Sequence, residues 1–134
     1  MSRIQTTGPT EVTSDWSGVH LPAANTIATS TIAAPGAGRR LVITRIEVGL
    51  VASSAAPSAK AVSVSITDNA TGTVIWGVVL AVPATAGAST GLIECPVWIG
   101  QAVSVNGSIT LAFSASGGAN TVESVSWGGV TVLA

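Results

Sequence analysis

Gly38-Arg39-Arg40-Leu41-Val42-Ile43-Thr44-Arg45-Ile46-Glu47-Val48-Gly49-Leu50-Val51 is the longest strand-like run in the chain. Its even positions (Val42, Thr44, Ile46, Val48, Leu50) form one nearly apolar face, and its odd positions carry Arg45 and Glu47 on the other. Successive side chains of a strand point to opposite faces, so this alternation predicts a long strand between a core and something wetter. Arg45 and Glu47, two apart on the wet face, are placed for a weak lateral ion pair. The run holds four of the chain's eleven charged residues. No catalytic signature accompanies it.

Outward from this strand the pattern stays β. Before it, Thr26–Ala34 alternates weakly and ends at the strong turn Pro35-Gly36-Ala37-Gly38. After it, a small-residue loop at 52–60 leads to Ala61–Thr67, where Val62, Val64 and Ile66 alternate with Ser63, Ser65 and Thr67. Asp68-Asn69-Ala70-Thr71-Gly72 turns the chain, since Asx side chains cap turns and Gly accepts positive φ. Thr73–Val82 then runs back as a hairpin, with Val74, Trp76, Val78, Leu80 and Val82 on one face. A loop at 83–89 precedes a strand over Thr90–Ile99, which Pro96 marks as an edge or a bend. Gly100–Val105 is ambiguous, and Asn106-Gly107 reads as a two-residue hairpin turn. Ser108–Ala115 is a strand with Ile109, Leu111 and Phe113 on one side. After the loop at 116–120 comes a last strand, Thr121–Leu133. Its apolar phase shifts at Gly128-Gly129, from Val125 and Trp127 to Val130 and Val132, as a β-bulge would produce.

Residues 1–24 alternate poorly, contain Gly8-Pro9, Ser17-Gly18 and Leu21-Pro22, and hold Trp16 and the single His20. They read as an extended N-terminal arm with one short strand around Glu11–Thr13, docked on the chain's own body or on a neighbour. The whole is therefore an arm, 1–24, and one domain, 25–134. The domain is an all-β antiparallel β-sandwich, with about eight strands in all at sandwich spacing. A jelly roll is the first expectation and an immunoglobulin-like sandwich the second.

Composition narrows the function. Apolar residues are 47 % of the 134, but charged residues only 8 %, roughly a third of ordinary usage. The polar surface falls to 16 Ser and 16 Thr. A free monomer normally stays soluble through mixed surface charge, so this surface favours homo-oligomerisation or docking onto a larger assembly. A net charge of −1 with scattered basic residues leaves nucleic-acid binding without an electrostatic footprint. Cys95 is alone and forms no intrachain disulfide. No secretory signal or membrane-spanning run is visible, and synthesis in a cytoplasm is expected.

Catalysis finds little support. A Ser or Cys nucleophile wants a base and an orienting acid. His20 lies in the arm, Cys95 sits beside Pro96 as a small hydrophobe, and G-x-S-x-G is absent. Asp15, Asp68, Glu94 and Glu123 are scattered, whereas glycoside hydrolysis needs a carboxylate pair. No phosphate-cradling Gly loop or Cys/His metal spacing occurs, so no catalytic, cofactor or metal residue is assigned. Asp68-Asn69 lacks the other ligands of a calcium loop. The sequons at Asn69 and Asn106 read as turns. Trp16, Trp76, Trp98 and Trp127 are the four tryptophans, with no Tyr. A sugar-stacking platform is one reading of them. Trp76 and Trp127 in the core, with Trp16 and Trp98 as interface anchors, is the reading favoured. Arg39-Arg40 meets an acidic partner or stays in solvent at a strand start. The partner-interface candidates are Arg3, Trp16, His20, Arg39, Arg40 and Trp98.

Three features carry a resemblance. An arm of low charge leads into Gly36-Ala37-Gly38-Arg39-Arg40-Leu41-Val42-Ile43, a hairpin crosses Asp68–Gly72, and the chain closes with Ile109-Thr110-Leu111-Ala112-Phe113-Ser114 and Val125-Ser126-Trp127-Gly128-Gly129-Val130. The pattern resembles the small β-sandwich proteins of tailed-bacteriophage virions, particularly jelly-roll head decoration (cement) proteins. The resemblance implies a non-enzymatic protein of the outer capsid surface, a homodimer or homotrimer bridging neighbouring major capsid protein subunits. It implies no cofactor, nucleic acid or membrane. Arm exchange would reinforce the contacts, and deleting residues 2–20 would weaken attachment while leaving the sandwich folded. The alternative is a carbohydrate or host-receptor binding module of a capsid, tail or fibre, with a surface glycan as partner.

Overall fold

The computed structural model describes residues 12–52, 60–83, 85–89, 93–100 and 102–134. Eight strands account for most of them: β1 (Val12–His20), β2 (Thr29–Ile32), β3 (Arg39–Ala52), β4 (Lys60–Asp68), β5 (Thr73–Val82), β6 (Ile93–Ile99), β7 (Ile109–Phe113) and β8 (Thr121–Leu133). They form two four-stranded antiparallel sheets, sheet A in the order β1-β8-β3-β6 and sheet B in the order β2-β7-β4-β5. The two close face to face as the expected all-β sandwich.

The pairs β1·β8, β2·β7, β3·β6 and β4·β5 are the rungs of one long antiparallel ribbon, folded back at the Asp68–Gly72 turn. Alternate pairs lie in opposite sheets, and the pairing of β8 with β3 and β7 with β4 joins successive turns of the ribbon. Between the sheets lies one apolar core. Sheet A supplies Leu41, Ile43, Ile46, Val48, Leu50, Val125 and Trp127, and sheet B supplies Val64, Ile66, Leu80, Leu111 and Phe113.

Within the segment expected as an arm, residues 12–20 are β1 itself, longer than the short strand anticipated at Glu11–Thr13. It docks on the chain's own body, paired with β8 from Val12↔Val132 to His20↔Val125. The anchor is Trp16. Its ring packs on the core and meets Trp127 edge-on, with centroids 5.2 Å apart and planes at 81°. Its indole N–H donates to the Val130 carbonyl at 3.0 Å. Deleting residues 2–20 would therefore remove a strand of sheet A and not merely an arm.

The core face of β3 also departs from strict alternation. Leu41 and Ile43 point inward, and then Ile46, Val48 and Leu50 do. Thr44 is the extra residue between them, since Ile43 pairs with Gly129 and Arg45 with Gly128. The sequence places this bulge in β8 at Gly128-Gly129, whereas the structure places it in the partner strand directly opposite. The inward face of β8 therefore continues past Trp127 to Gly129 and Thr131, which pair with Ile43 and Leu41. Val130 and Val132 lie on the outer face. A Cβ at Gly129 would run into the Val42 carbonyl oxygen and the Trp16 ring, so this close approach requires glycine.

A second bulge, between Ile66 and Thr67 in the β4·β5 register, makes Ile75 the extra residue. Val74 is thereby turned outward and is 60 % exposed, off the face expected for it. Pro96 lies in β6, which is an edge of sheet A, as its ring requires. Asn106-Gly107 closes no hairpin, because 102–108 is a crossover from sheet A to sheet B with no strand among its described residues. It is pinned instead to the start of β3: Asn106 N–H donates to the Arg39 carbonyl (2.7 Å), and Gly36 N–H donates to Asn106 Oδ1 (2.9 Å).

Candidate functional site

Strands β1 and β2 are the edges of their sheets on the same side of the sandwich. At one end the two edges are tied together. Thr29 N–H donates to His20 Nδ1 at 3.0 Å, and Trp127 Nε1–H donates to Ser30 Oγ at 3.0 Å. Gly18 lets them approach, since a Cβ there would strike Ser30 Oγ. Towards the other end the edges part around a cleft of about 410 Å³. One wall is Thr13, Ser14, Asp15 and Trp16 of β1, with Thr131 of β8 beside them. The opposite wall is Ile32, Ala33 and Pro35, and Arg39 and Leu41 of β3 complete the lining.

The chemistry of the cleft is mixed. Arg39 is exposed, and among the described residues its side chain makes no ion pair or hydrogen bond; Asp15, paired with Val130, turns its side chain to the outer face of sheet A. Trp16 has committed its N–H to Val130 and so offers carbon and π surface. Thr13 Oγ1 donates to the Thr131 carbonyl at 3.2 Å, which leaves its oxygen lone pairs available.

The six candidates from sequence divide accordingly. Trp16 and Arg39 share the cleft. His20 lies at the closed end of β1 as a tie between sheets. Arg40 is half-buried next to Arg39, its Nε buried without a hydrogen-bond partner. Trp98, 65 % exposed, lies on β6 at the opposite edge of sheet A. Arg3 lies outside the described residues. The four tryptophans build no platform, because Trp127 is fully buried and Trp76 packs on the core from the other sheet. His20 and Cys95 belong to opposite edges of sheet A with β8 and β3 between them, roughly 14 Å at ordinary strand spacing. No dyad forms from them. Among the described residues, no three His, Cys, Asp or Glu side chains come together to hold a metal.

Asp15 contributes to the wall of the cleft beside Trp16, but it pairs with Val130, so its side chain belongs to the outer face of sheet A. Two buried carboxyls were not singled out. Asp68, 1 % exposed, accepts from Ser104 Oγ (2.6 Å), Thr71 Oγ1 (3.1 Å) and Ala70 N–H (3.3 Å). Desolvation pushes its carboxyl up, but the hydrogen bonds from Ser104, Thr71 and Ala70 together outweigh it and hold it below the usual range. Glu123 is fully buried on the inward face of β8. Its Oε1 accepts from Ala28 N–H at 2.9 Å, while Oε2 has no partner in bonding geometry. Burial pushes this carboxyl up, offset only in part by the Ala28 and Gly117 amides and the Lys60 charge.

No protein-family model matches the chain, and no curated protein is similar to it. Among solved structures, 84 % of the chain superposes on 23 % of an arabinose-bound MgGH51 α-L-arabinofuranosidase, at 11 % identity and a TM-score of 0.41. So low a score carries no argument about fold or function, and the chain spans under a quarter of that enzyme's length.

Proposed function

We propose that this protein is a non-enzymatic structural component of a virion that decorates a phage capsid and bridges neighbouring major capsid protein subunits. The observation that carries the reading is the neutrality of sheet B. Its four strands hold two charged residues, Lys60 and Asp68 at the two ends of β4, and Asp68 is buried. Its outer face shows Thr29, Thr31, Ser63, Gly77 and Ala81, with Val74 and Val79 at 60 % and 68 % exposure. Soluble surfaces normally interleave both signs of charge, so a face of this kind suits permanent cover by protein. The winding of the strands, 1-8-3-6 against 2-7-4-5, supports the jelly-roll class that the resemblance implies. In this reading the protein is made in the host cytoplasm and ends on the outer capsid surface as a homodimer or homotrimer.

The test is cosedimentation of the purified protein with undecorated phage capsids assembled from a purified major capsid protein. Saturable binding and a higher capsid dissociation temperature are expected. Protein that stays in the supernatant, with capsid heat resistance unchanged, overturns the reading.

A further inference from the structure

We propose that β5 is the contact edge of a homodimer, pairing antiparallel with β5 of a second copy about Val79 and continuing sheet B across a two-fold axis. An edge strand offers unpaired backbone donors and acceptors to other chains, and edges that stay single are short, charged, bulged or interrupted by proline. Of the four edge strands, three carry such protection along their paired length. Strand β2 has only 4 residues. Strand β1 holds Asp15 and a register shift between Val12 and Ser14, and β6 holds Glu94 and Pro96. Strand β5 runs for 10 residues without a charge or a proline. Its one bulge, at Ile75, leaves Trp76–Val82 regular. Among the described residues no strand pairs with its outer edge.

The side of the sandwich shared by β5 and β6 also leaves the core open. Trp76 and Val78 of β5 and Val97 and Ile99 of β6 pack on the core yet are only partly buried. A strand as long as β5 spans about 34 Å, and two sheets with their side chains are roughly 20 Å deep, so this side offers about 700 Å² per copy. The total of ~1,400 Å² falls within the range of stable interfaces.

Charge and symmetry select a second copy as the occupant. A two-fold contact sets the same patch against itself, so a charged edge would repel its mate, and β5 has no charge to bring together. Centring the pairing on Val79 uses the whole regular stretch. Trp76 then lies opposite Val82 and Val78 opposite Leu80 on the inner face, with Gly77 opposite Ala81 and Val79 opposite Val79 on the outer one. Each pair joins residues of the same face, as directly opposed residues in an antiparallel ladder must be. Both copies of β5 are consumed, so association closes at two. The proposal rests on the capsid reading for its expectation of self-association and goes further in fixing the dimer, the strand and the register. It is tested without capsids: monomeric protein that still cosediments with them would sink it and spare that reading.

The purified full chain is followed by sedimentation equilibrium from micromolar to millimolar concentration, and a monomer–dimer equilibrium is expected. Val79→Lys and Val79→Asp should each weaken the dimer by about tenfold or more, because like charges meet at the axis. Mixed in equal amounts, the two variants should recover it as a heterodimer, which native mass spectrometry resolves by its mass. Val79 is 68 % exposed, so both variants should keep the parent's circular dichroism. Val19→Lys, at an exposed valine on the other side of the sandwich, should dimerise as the parent does. Any of four results overturns the proposal: the chain is monomeric throughout or forms trimers or larger species; the Val79 variants dimerise as tightly as the parent; their mixture forms no heterodimer; or Val19→Lys weakens the dimer as much as Val79→Lys does.

Discussion

At the residue scale, two buried carboxyls set opposite dependences of stability on pH. The Asp68 carboxyl is held below its reference value of 3.8 by its hydrogen bonds. Its contribution is therefore complete above that value and is lost as pH falls through the lower, folded one. Glu123 is pushed above its reference value of 4.5. Its ionised form costs stability at neutral pH, and that cost is relieved as pH falls through the raised value towards 4.5. The two groups therefore act in opposite directions: Asp68 loses its contribution on acidification, and Glu123 loses its cost. Glu123→Gln should raise the melting temperature at pH 7 and flatten its rise on acidification; a lower melting temperature at pH 7 would mean that the Ala28 and Gly117 amides outweigh burial. Asp68→Ala should cost about 1–3 kcal/mol, the penalty for buried donors left without their acceptor. Urea unfolding at pH 7 measures it, and a cost under about 0.5 kcal/mol, the level of an ordinary surface change, would remove Asp68 from its role in pinning the crossover loop to the β4–β5 turn.

At the element scale, the strands were legible wherever alternation was local. Val62, Val64 and Ile66 against Ser63, Ser65 and Thr67 define β4, and Thr73–Val82 and Thr121–Leu133 match β5 and β8 residue for residue. What stayed hidden depends on a partner strand. The shifted phase in β8 pointed to a bulge, but the identity of the bulged strand is settled by Gly129 pressing on Val42, a contact between residues far apart in sequence. The odd positions Leu41 and Ile43 face the core for the same reason. Val74 was expected inward because alternation cannot reveal a bulge at Ile75. Strand β1 was harder still, because Ser14, Asp15 and Ser17 break its apolar pattern and its stability comes from Trp16 packing on Trp127. The cleft was half legible: Trp16 and Arg39 were chosen as contact residues, while their proximity follows from strand order. Removing residues 2–20 strips β1, bares the edge of β8 and should yield aggregated protein. A soluble, cooperatively folding 2–20 deletion would show that β1 is dispensable.

At the scale of the whole molecule, charge is distributed by sheet. Arg39, Arg40, Arg45, Glu47, Glu94, Asp15 and Glu123 all lie in sheet A. The outer face of that sheet carries the Arg45–Glu47 pair at 3.3 Å, with Arg45 also bonded to Ser126 Oγ. Exposed pairs of this kind contribute little to stability, but they keep the face compatible with water. Sheet B shows no such provision. A protein bound to a large assembly through sheet B, with sheet A turned to solvent, uses this asymmetry; a free monomer would leave the neutral face uncovered. The orientation can be tested by placing one charge on each side. Val79, 68 % exposed on β5, accepts lysine without disturbing the core, so Val79→Lys should change stability by no more than about 0.5 kcal/mol. It should nevertheless weaken capsid binding or self-association by about tenfold or more, because an unpaired charge would be buried in the contact. Arg45→Ala, on the solvent face, should leave binding unchanged. Full binding by Val79→Lys together with lost binding by Arg45→Ala would reverse the assignment and make sheet A the attached face.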